Sequence, residues 1–209
     1  MGKVKIKSSD IITFLVIFIL VTSIFGLYIN RQDTVKKNTI EPSFFYNDVA
    51  FYENSAGNYV VYLQTQGDPF PVEFNLDPRT MSDITVEKNI KSKIRNATKI
   101  YSTYNPNTNK ATPARMIGSI IELGRMVPFV TVNQVSTALA YTEDDTPIDL
   151  DVPIKTCSDA TYEVPVILFE IGKENKIYSE DFCVHVVGIS GDELMRSADA
   201  MSYSLVGVN

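Results

Sequence analysis

The apolar residues of this chain form one long run near the start and many short alternating runs after it. Residues 11–30 (IITFLVIFILVTSIFGLYIN) are uncharged and strongly apolar. A helix of this run is roughly 28 Å long at 1.5 Å per residue, close to the thickness of a bilayer core. The pattern predicts a transmembrane signal-anchor at 11–30, a cytoplasmic N-terminus at 1–10 and a linker at 31–42.

A cleaved signal peptide is the main alternative for the same run. Signal peptides have apolar regions of about 7–15 residues, and this run is longer. The best small-residue cleavage site is Val21-Thr22-Ser23, and cleavage after Ser23 leaves an apolar stub on the mature chain. The length therefore favours an uncleaved anchor.

Three runs rich in aromatic and β-branched residues follow the linker, at 44–52, 59–63 and 72–76. Turn-forming residues separate them, which is typical of strands joined by short loops. We expect these three strands to form an antiparallel meander.

The middle of the chain alternates between helical and strand-like patterns. An amphipathic helix is predicted over 86–97, a strand over 99–104, and a second helix from Thr112-Pro113 to Val127-Pro128. A strand over 129–132 would complete a strand–helix–strand unit, which is a βαβ crossover if the two strands are parallel.

The C-terminal part predicts a hairpin followed by a helix. Strands over 164–171 and 177–188 are joined by 172–175, a connection of suitable length for a hairpin. Ser190 and Glu193 match the S-x-x-E capping box, so the last helix is expected to begin there.

The charge of the chain bears on its partners. Residues 38–209 carry 13 Lys/Arg and 23 Asp/Glu, a net charge of −10. Such a field repels phosphate backbones, so no nucleic-acid partner is expected. The whole pattern predicts an α+β protein: a single-pass N-terminal transmembrane helix followed by one mixed α/β domain at 43–209.

Cysteine usage bears on which side of the membrane this domain occupies. Three basic residues precede the apolar run and three follow it, so charge leaves the orientation open. Cys157 and Cys183 are an even, widely spaced pair, which suggests one disulfide in an oxidising compartment. Two free thiols in a cytosolic domain are the alternative. Asn96-Ala97-Thr98 is a possible glycosylation site that agrees with an external face. We therefore expect a cell-membrane protein with most of its chain extracytoplasmic.

Candidate catalytic residues are few. The cysteine pair is interpreted as a structural staple, because no helix N-terminus or basic neighbour is evident that would lower a thiol pKa. His185, the single histidine, shares a strand face with Cys183 and Val187, but one histidine with paired cysteines is a poor zinc site. Ser190 is explained as a helix cap. No catalytic residue, metal site or cofactor is expected.

An acidic, proline-broken stretch at 143–153 is the one place where a hard cation could bind. A solvated loop is the favoured interpretation, because the spacing does not match a calcium-binding loop. Its candidate oxygen ligands are Glu143, Asp144, Asp145, Asp149 and Asp151.

A family resemblance rests on short motifs, most of them in the last fifty residues. They are Thr156-Cys157-Ser158-Asp159-Ala160-Thr161, Pro165-Val166-Ile167, Lys176-Ile177-Tyr178, Phe182-Cys183-Val184 and Leu205-Val206-Gly207-Val208. With Asp77-Pro78-Arg79 and the strand before Asn105-Pro106, they resemble a recurrent group of small single-span proteins from archaeal genomes. That group has no assigned activity, so the resemblance implies an archaeal envelope setting and no catalytic residue.

Two functional hypotheses follow from the sequence. The first is a non-enzymatic, membrane-anchored subunit of the cell envelope or of a membrane complex. It would be held by residues 11–30 and act through protein partners or homo-oligomerisation. The second is a module that binds or senses a cation or small ligand through the acidic C-terminal half.

Overall fold

Our structure of the chain, a computed structural model, describes residues 41–64, 68–107, 112–142 and 152–208. Residues Pro42–Asn209 fold as one unit, to which the following description applies. The strands are β1 (Phe44–Tyr46), β2 (Val49–Glu53), β3 (Tyr59–Leu63), β4 (Phe70–Phe74), β5 (Thr85–Val86), β6 (Lys99–Tyr104), β7 (Ser136–Tyr141), β8 (Val166–Ile171), β9 (Lys176–Glu180) and β10 (Cys183–Gly188). The α-helices are α1 (Ile90–Ile94), α2 (Thr112–Met126) and α3 (Gly191–Leu205).

Strands β1 to β4 form an antiparallel meander, as the sequence predicted. The single strand predicted over 44–52 is in fact two strands. Asn47 and Asp48 form the turn between them with φ of 46° and 62°. Asn and Asp are the residues that adopt this left-handed conformation most readily after glycine.

The second sheet has six strands in the order β5-β9-β10-β8-β6-β7. Strands β10, β8, β6 and β7 run parallel to one another, and β9 is antiparallel to β10. Helix α2 connects β6 to the parallel strand β7, so the βαβ interpretation is confirmed. Its second strand is Ser136–Tyr141 and not 129–132. Val127–Phe129 is a short 3-10 helix, because Pro128 has no amide hydrogen for a sheet and suits the first turn of a helix.

The predicted C-terminal hairpin is wrong in its pairing. The run 177–188 contains two strands, β9 and β10, which form the hairpin themselves around Asp181 at φ 50°. Strand β8 lies on the other side of β10, parallel to it. The connection 172–175 therefore passes the end of β10, where the Gly172 amide donates to the Gly188 carbonyl oxygen over 2.9 Å.

Helix α3 joins the two sheets through its buried side chains. Leu194, Ala198 and Met201 are fully buried in the core with Val184 and Val186 of β10.

A second contact of α3 reaches the meander. The Tyr203 ring stacks on Phe74 with centroids 3.9 Å apart and also contacts Phe51. Helix α3 thus covers the face of the six-stranded sheet that carries Val184 and Val186.

Among the described residues, none of the helices combines the length and apolar character needed to cross a bilayer. Helices α2 and α3 have 15 residues each, roughly 22 Å, against a bilayer core of about 30 Å. This finding contradicts the predicted single-pass architecture and the predicted cell-membrane localisation with an extracytoplasmic domain. The predicted segments 1–10 and 11–30 and most of the linker 31–42 lie outside the described residues.

Candidate functional site

The candidate functional side chains lie on the face of the six-stranded sheet opposite to α3. Side chains alternate along a strand, so Cys183, His185 and Val187 of β10 point opposite to the core residues Val184 and Val186. His185 pairs with Leu168 of β8 and with Tyr178 of β9. This register brings side chains from three strands together at one place.

A segment of chain crosses this face, and we call residues 152–160 the crossing segment. At the β7 edge, Tyr141 donates its amide to the Pro153 carbonyl oxygen over 3.0 Å, and Lys155 donates its amide to the Tyr141 carbonyl oxygen over 2.8 Å. The Thr103 hydroxyl on β6 donates to the Lys155 carbonyl oxygen over 2.9 Å. The chain then reaches β10, where Cys157 forms a disulfide with Cys183.

Local hydrogen bonds fix the turn that contains Cys157. Cys157–Asp159 is a 3-10 turn, and the Asp159 carboxylate accepts from the Thr156 amide over 2.8 Å. That bond and the Lys155 ammonium at 3.4 Å lower the pKa of Asp159 below its ordinary value. The carboxylate therefore stays ionised and keeps its hold on the turn, which positions the Cys157 sulfur.

His185 lies beside this disulfide in a defined orientation. Its Nδ1 is 2.9 Å from Glu170 Oε1, and its Nε2 is 3.5 Å from Cys157 Sγ. A carboxylate only accepts hydrogen bonds, so Nδ1 carries a hydrogen and Nε2 faces the sulfur. The Tyr178 ring stacks on the imidazole with centroids 4.4 Å apart, and the His185 side chain is only 9% exposed.

Two more features complete the cluster. Glu180 Oε2, on β9, lies 3.9 Å from His185 Nε2. Burial, and after it the charges of Glu170 and Glu180, raise the pKa of Tyr178, so this ring stays neutral against the imidazole. We call Cys157, Cys183, His185, Glu170 and Glu180 the Cys–His cluster.

This geometry can support two kinds of chemistry. A sulfur, an imidazole and a carboxylate in sequence form the arrangement in which a histidine moves protons to and from a sulfur while the carboxylate orients it. The two sulfurs and an imidazole nitrogen can also bind a metal ion, since these atoms all lie within 4.8 Å of one another. The two sulfurs can bind a metal ion only after the disulfide is reduced, because they ligate as thiolates.

The sequence predicted part of this site. The Cys157–Cys183 disulfide is present, with Cα atoms 5.1 Å apart, and His185 shares its strand face with Cys183 and Val187 as expected. Sequence reasoning missed the contact of His185 with Cys157 and the roles of Glu170, Glu180 and Tyr178. The spacing of Cys183 and His185 on one strand face was a usable signal: a disulfide to Cys183 necessarily brings a second sulfur near the imidazole.

The other predicted residues have structural surroundings. The Ser190 hydroxyl accepts from the Glu193 amide over 3.3 Å, which confirms the N-cap. The Glu193 carboxylate accepts from Asn175 and Arg196 and so ties α3 to the 172–175 connection. Asn96 is half-buried and accepts from Asn133 through its backbone carbonyl oxygen, and its glycosylation stays a prediction. The acidic residues 143–151 lie outside the described residues.

A cavity of about 460 Å³ lies elsewhere, next to the 3-10 helix Pro78–Met81 and α3. Its walls include Met81, Ile84 and Tyr203, and Lys88 is its one formally charged side chain among the described lining residues. The Tyr203 hydroxyl already donates to the Leu76 carbonyl oxygen over 2.7 Å. The cavity has none of the convergent polar groups that mark the Cys–His cluster, so we place the candidate site at the cluster.

The fold and the cluster define a mixed α/β domain with a disulfide next to a carboxylate-oriented histidine. Comparison of the chain with protein-family models, with curated proteins and with solved structures gives no match. The resemblance to small archaeal proteins therefore stays a prediction, and function must be argued from the cluster.

Proposed function

We propose that the protein is a thiol–disulfide redox protein in which Cys157 and Cys183 exchange electrons and His185 moves the accompanying protons. The observation that carries this proposal is the Nε2 atom of His185 lying 3.5 Å from Cys157 Sγ while Nδ1 is held by Glu170. A purely structural disulfide does not need an oriented proton carrier against its sulfur.

The two sulfurs differ in access, which sets the direction of attack. Cys183 is 1% exposed, whereas Cys157 is half-buried at the surface of the crossing segment. A thiolate from a dithiol reductant therefore attacks Cys157 Sγ. The sulfur–sulfur bond breaks, and its electron pair leaves with Cys183, which takes a proton from water.

The second half of the exchange completes the balance. The other thiolate of the reductant attacks the mixed disulfide, closes its own disulfide and releases Cys157 as a thiolate. This thiolate takes a proton from His185 Nε2, 3.5 Å away, and His185 regains a proton from water. Two electrons and two protons pass to the protein, and the reductant becomes a disulfide. In reverse, His185 accepts a proton from a cysteine thiol and so produces the thiolate that attacks an oxidant.

Reduction also has a structural consequence. The disulfide is the covalent link between the crossing segment and β10, and the other ties of this segment lie towards β6 and β7. Opening the disulfide leaves the Cys157 end of the segment held by noncovalent contacts, so the redox state can control access to the sheet face beneath it.

The test is the rate at which dithiothreitol reduces the disulfide of the folded full chain, followed by alkylation and intact mass. His185→Gln removes the proton carrier, and we expect the rate to fall by about 100-fold or more, within the range of general acid–base catalysis. Glu170→Gln should slow it less, because Glu170 positions the imidazole without touching sulfur. Glu174→Gln, at a 67% exposed glutamate outside the cluster, is the matched control and should not change the rate.

The pH dependence of the reduction rate shows whether His185 transfers a proton or only packs against the disulfide. If His185 transfers the proton, the rate calculated per reductant thiolate depends on pH in the wild type, and this dependence disappears in His185→Gln. Glu170, Glu180 and Tyr178 also face the imidazole, so the Glu170→Gln and Glu180→Gln profiles are measured beside it. Equal rates and parallel profiles in wild type and His185→Gln contradict the proposal and leave the disulfide as a staple.

What the two hypotheses drawn from the sequence say about partners stays a prediction. Action through protein–protein contacts is compatible with a redox protein, since exchange partners are often proteins. The cation-binding hypothesis based on the acidic loop concerns residues 143–151, which the structure does not describe.

A further inference from the structure

We propose that the reduced form of the Cys–His cluster binds a zinc ion through Cys157, Cys183 and His185, with Glu180 as the fourth ligand. This inference rests on the proposed function in one respect: the disulfide must open in the folded protein. It adds a metal-bound state that a redox exchange alone does not require.

The donor atoms are those that zinc prefers. Thiolates, imidazole nitrogens and carboxylate oxygens all bind zinc in tetrahedral sites, and soft sulfur ligands disfavour calcium and magnesium. The three sulfur and nitrogen atoms already lie within 4.8 Å of one another, on the crossing segment and β10. The ligands therefore come from two elements that already lie next to each other in the fold.

The distance between His185 and Cys157 fits a tetrahedral site, and the two sulfurs, bonded to each other in the disulfide, must separate to about 3.8 Å after reduction. With zinc–sulfur bonds of about 2.3 Å and zinc–nitrogen bonds of about 2.0 Å, tetrahedral ligands place sulfur and nitrogen about 3.5 Å apart. His185 Nε2 and Cys157 Sγ are separated by 3.5 Å. Glu180 Oε2, 3.9 Å from Nε2, has to move closer by roughly 0.6 Å to reach the expected separation. The Glu180 side chain is 70% exposed and can make this movement.

The surroundings of His185 match those of a metal-bound imidazole. Zinc-binding histidines usually donate their second ring N–H to a carboxylate, which fixes the tautomer and strengthens the ligand. Glu170 accepts in this way from Nδ1 over 2.9 Å and leaves Nε2 directed at the sulfurs. The stacked Tyr178 ring holds the imidazole plane, so the nitrogen needs little reorganisation to bind a metal.

Metal binding and the disulfide exclude each other. Both sulfurs ligate zinc as thiolates, which the disulfide does not provide, and zinc binding to the reduced pair releases the thiol protons. The bound ion then links the crossing segment to β10 in place of the covalent bond. Reduction without metal frees this end of the segment, whereas reduction with zinc keeps it in place.

The test begins with the full chain reduced by a phosphine, which adds no competing thiol. Alkylation and intact mass first count free thiols while circular dichroism confirms the fold. Zinc chloride is then titrated by calorimetry and the stoichiometry read by native mass spectrometry. We expect one zinc per chain with a dissociation constant below about 1 μM and no binding to the oxidised protein.

Substitutions in the cluster identify which side chains bind the zinc ion. His185→Gln should weaken binding at least 100-fold, since it removes a ligand, and Glu170→Gln should weaken it by about 10- to 100-fold through the outer shell. Glu180→Gln should weaken it as well, and Glu174→Gln should match the wild type. Cobalt provides a second readout, because thiolate ligation gives an intense charge-transfer absorption that the His185 variant should shift.

The outcomes distinguish this inference from the proposed function. Two free thiols with no zinc binding, or with equal binding in wild type and His185→Gln, overturn the zinc site and leave redox exchange standing. Failure of the folded chain to release any thiol overturns both. One zinc in the reduced protein, lost on reoxidation and weakened by the His185 and Glu170 variants, supports the inference.

Discussion

Replacing Asp199 by asparagine should stabilise the folded chain at neutral and alkaline pH and have little effect in acid. Asp199 lies on α3 and is 4% exposed. Its Oδ2 has no hydrogen-bond partner among the described residues, although the Leu76 amide donates to the carboxyl group. Burial, with a smaller contribution from Glu122, raises its pKa to about 7, and Arg125 opposes the shift only weakly. The ionised form is thus unfavourable in the folded chain.

The sign and size of the effect follow from this pKa. The folded chain holds the proton up to about pH 7, whereas the unfolded chain releases it near the ordinary value of 3.8. Between these values the folded chain binds more protons, so its stability falls as pH rises and then stays level. The separation of the two pKa values corresponds to roughly 4 kcal/mol, an upper limit because the surroundings can relax.

Urea unfolding followed by circular dichroism, at about pH 4.5 and about pH 8, measures the difference between Asp199→Asn and wild type. We expect a difference of about 1 kcal/mol at the lower pH and up to about 4 kcal/mol in favour of the variant at the higher pH. Asp192→Asn, on the same helix but 77% exposed, is the control. It should cost less than about 1 kcal/mol. A difference for Asp199→Asn that does not change with pH refutes the reasoning.

Three further predictions concern packing and the disulfide. Gly188→Ala should destabilise by about 2 kcal/mol or more, because its added Cβ lies 2.3 Å from the Leu194 backbone nitrogen. Gly118→Ala in α2, where nothing lies within 4 Å, should stabilise by about 0.5–1 kcal/mol in the same urea measurement. The double variant Cys157→Ser, Cys183→Ala should lose about 3.5 kcal/mol for a loop of 26 residues, and unchanged stability would contradict the entropic argument.

At two places the sequence pattern predicted one strand where the structure has two, and the physical reason is the same. The runs 44–52 and 177–188 each looked like one strand, because a two-residue turn barely interrupts an apolar pattern. Asn47-Asp48 and Asp181-Phe182 make those turns, with positive φ at Asn47, Asp48 and Asp181. Asn and Asp tolerate this conformation without glycine, so the turn signal was present but weak. The ends of α2 and α3, by contrast, were marked by local chemistry such as the Ser190 cap and were predicted well. The helix predicted over 86–97 was wrong in its ends, since α1 is only Ile90–Ile94 and Thr85–Val86 is strand β5.

Only the part of the candidate site that lies on strand β10, together with the disulfide, could be predicted from the sequence. Alternation along β10 places Cys183 and His185 on one face, and cysteine usage suggested the disulfide. The position of Glu170 depends on β8 lying parallel beside β10, which strand patterns do not specify. The approach of Cys157 depends on the path of the crossing segment, set by a hydrogen bond between Thr103 and Lys155, 52 residues apart. Long-range contacts of this kind leave no local sequence pattern.

The central claim is that Cys157 and Cys183 undergo reversible reduction within the folded domain. The direct measurement equilibrates the full chain in glutathione buffers of graded potential, blocks free thiols by alkylation and counts them by intact mass, with circular dichroism recorded on each sample. We expect two thiols to appear together and to disappear again on reoxidation while the native spectrum is retained. A disulfide that opens only when the native spectrum is lost contradicts it.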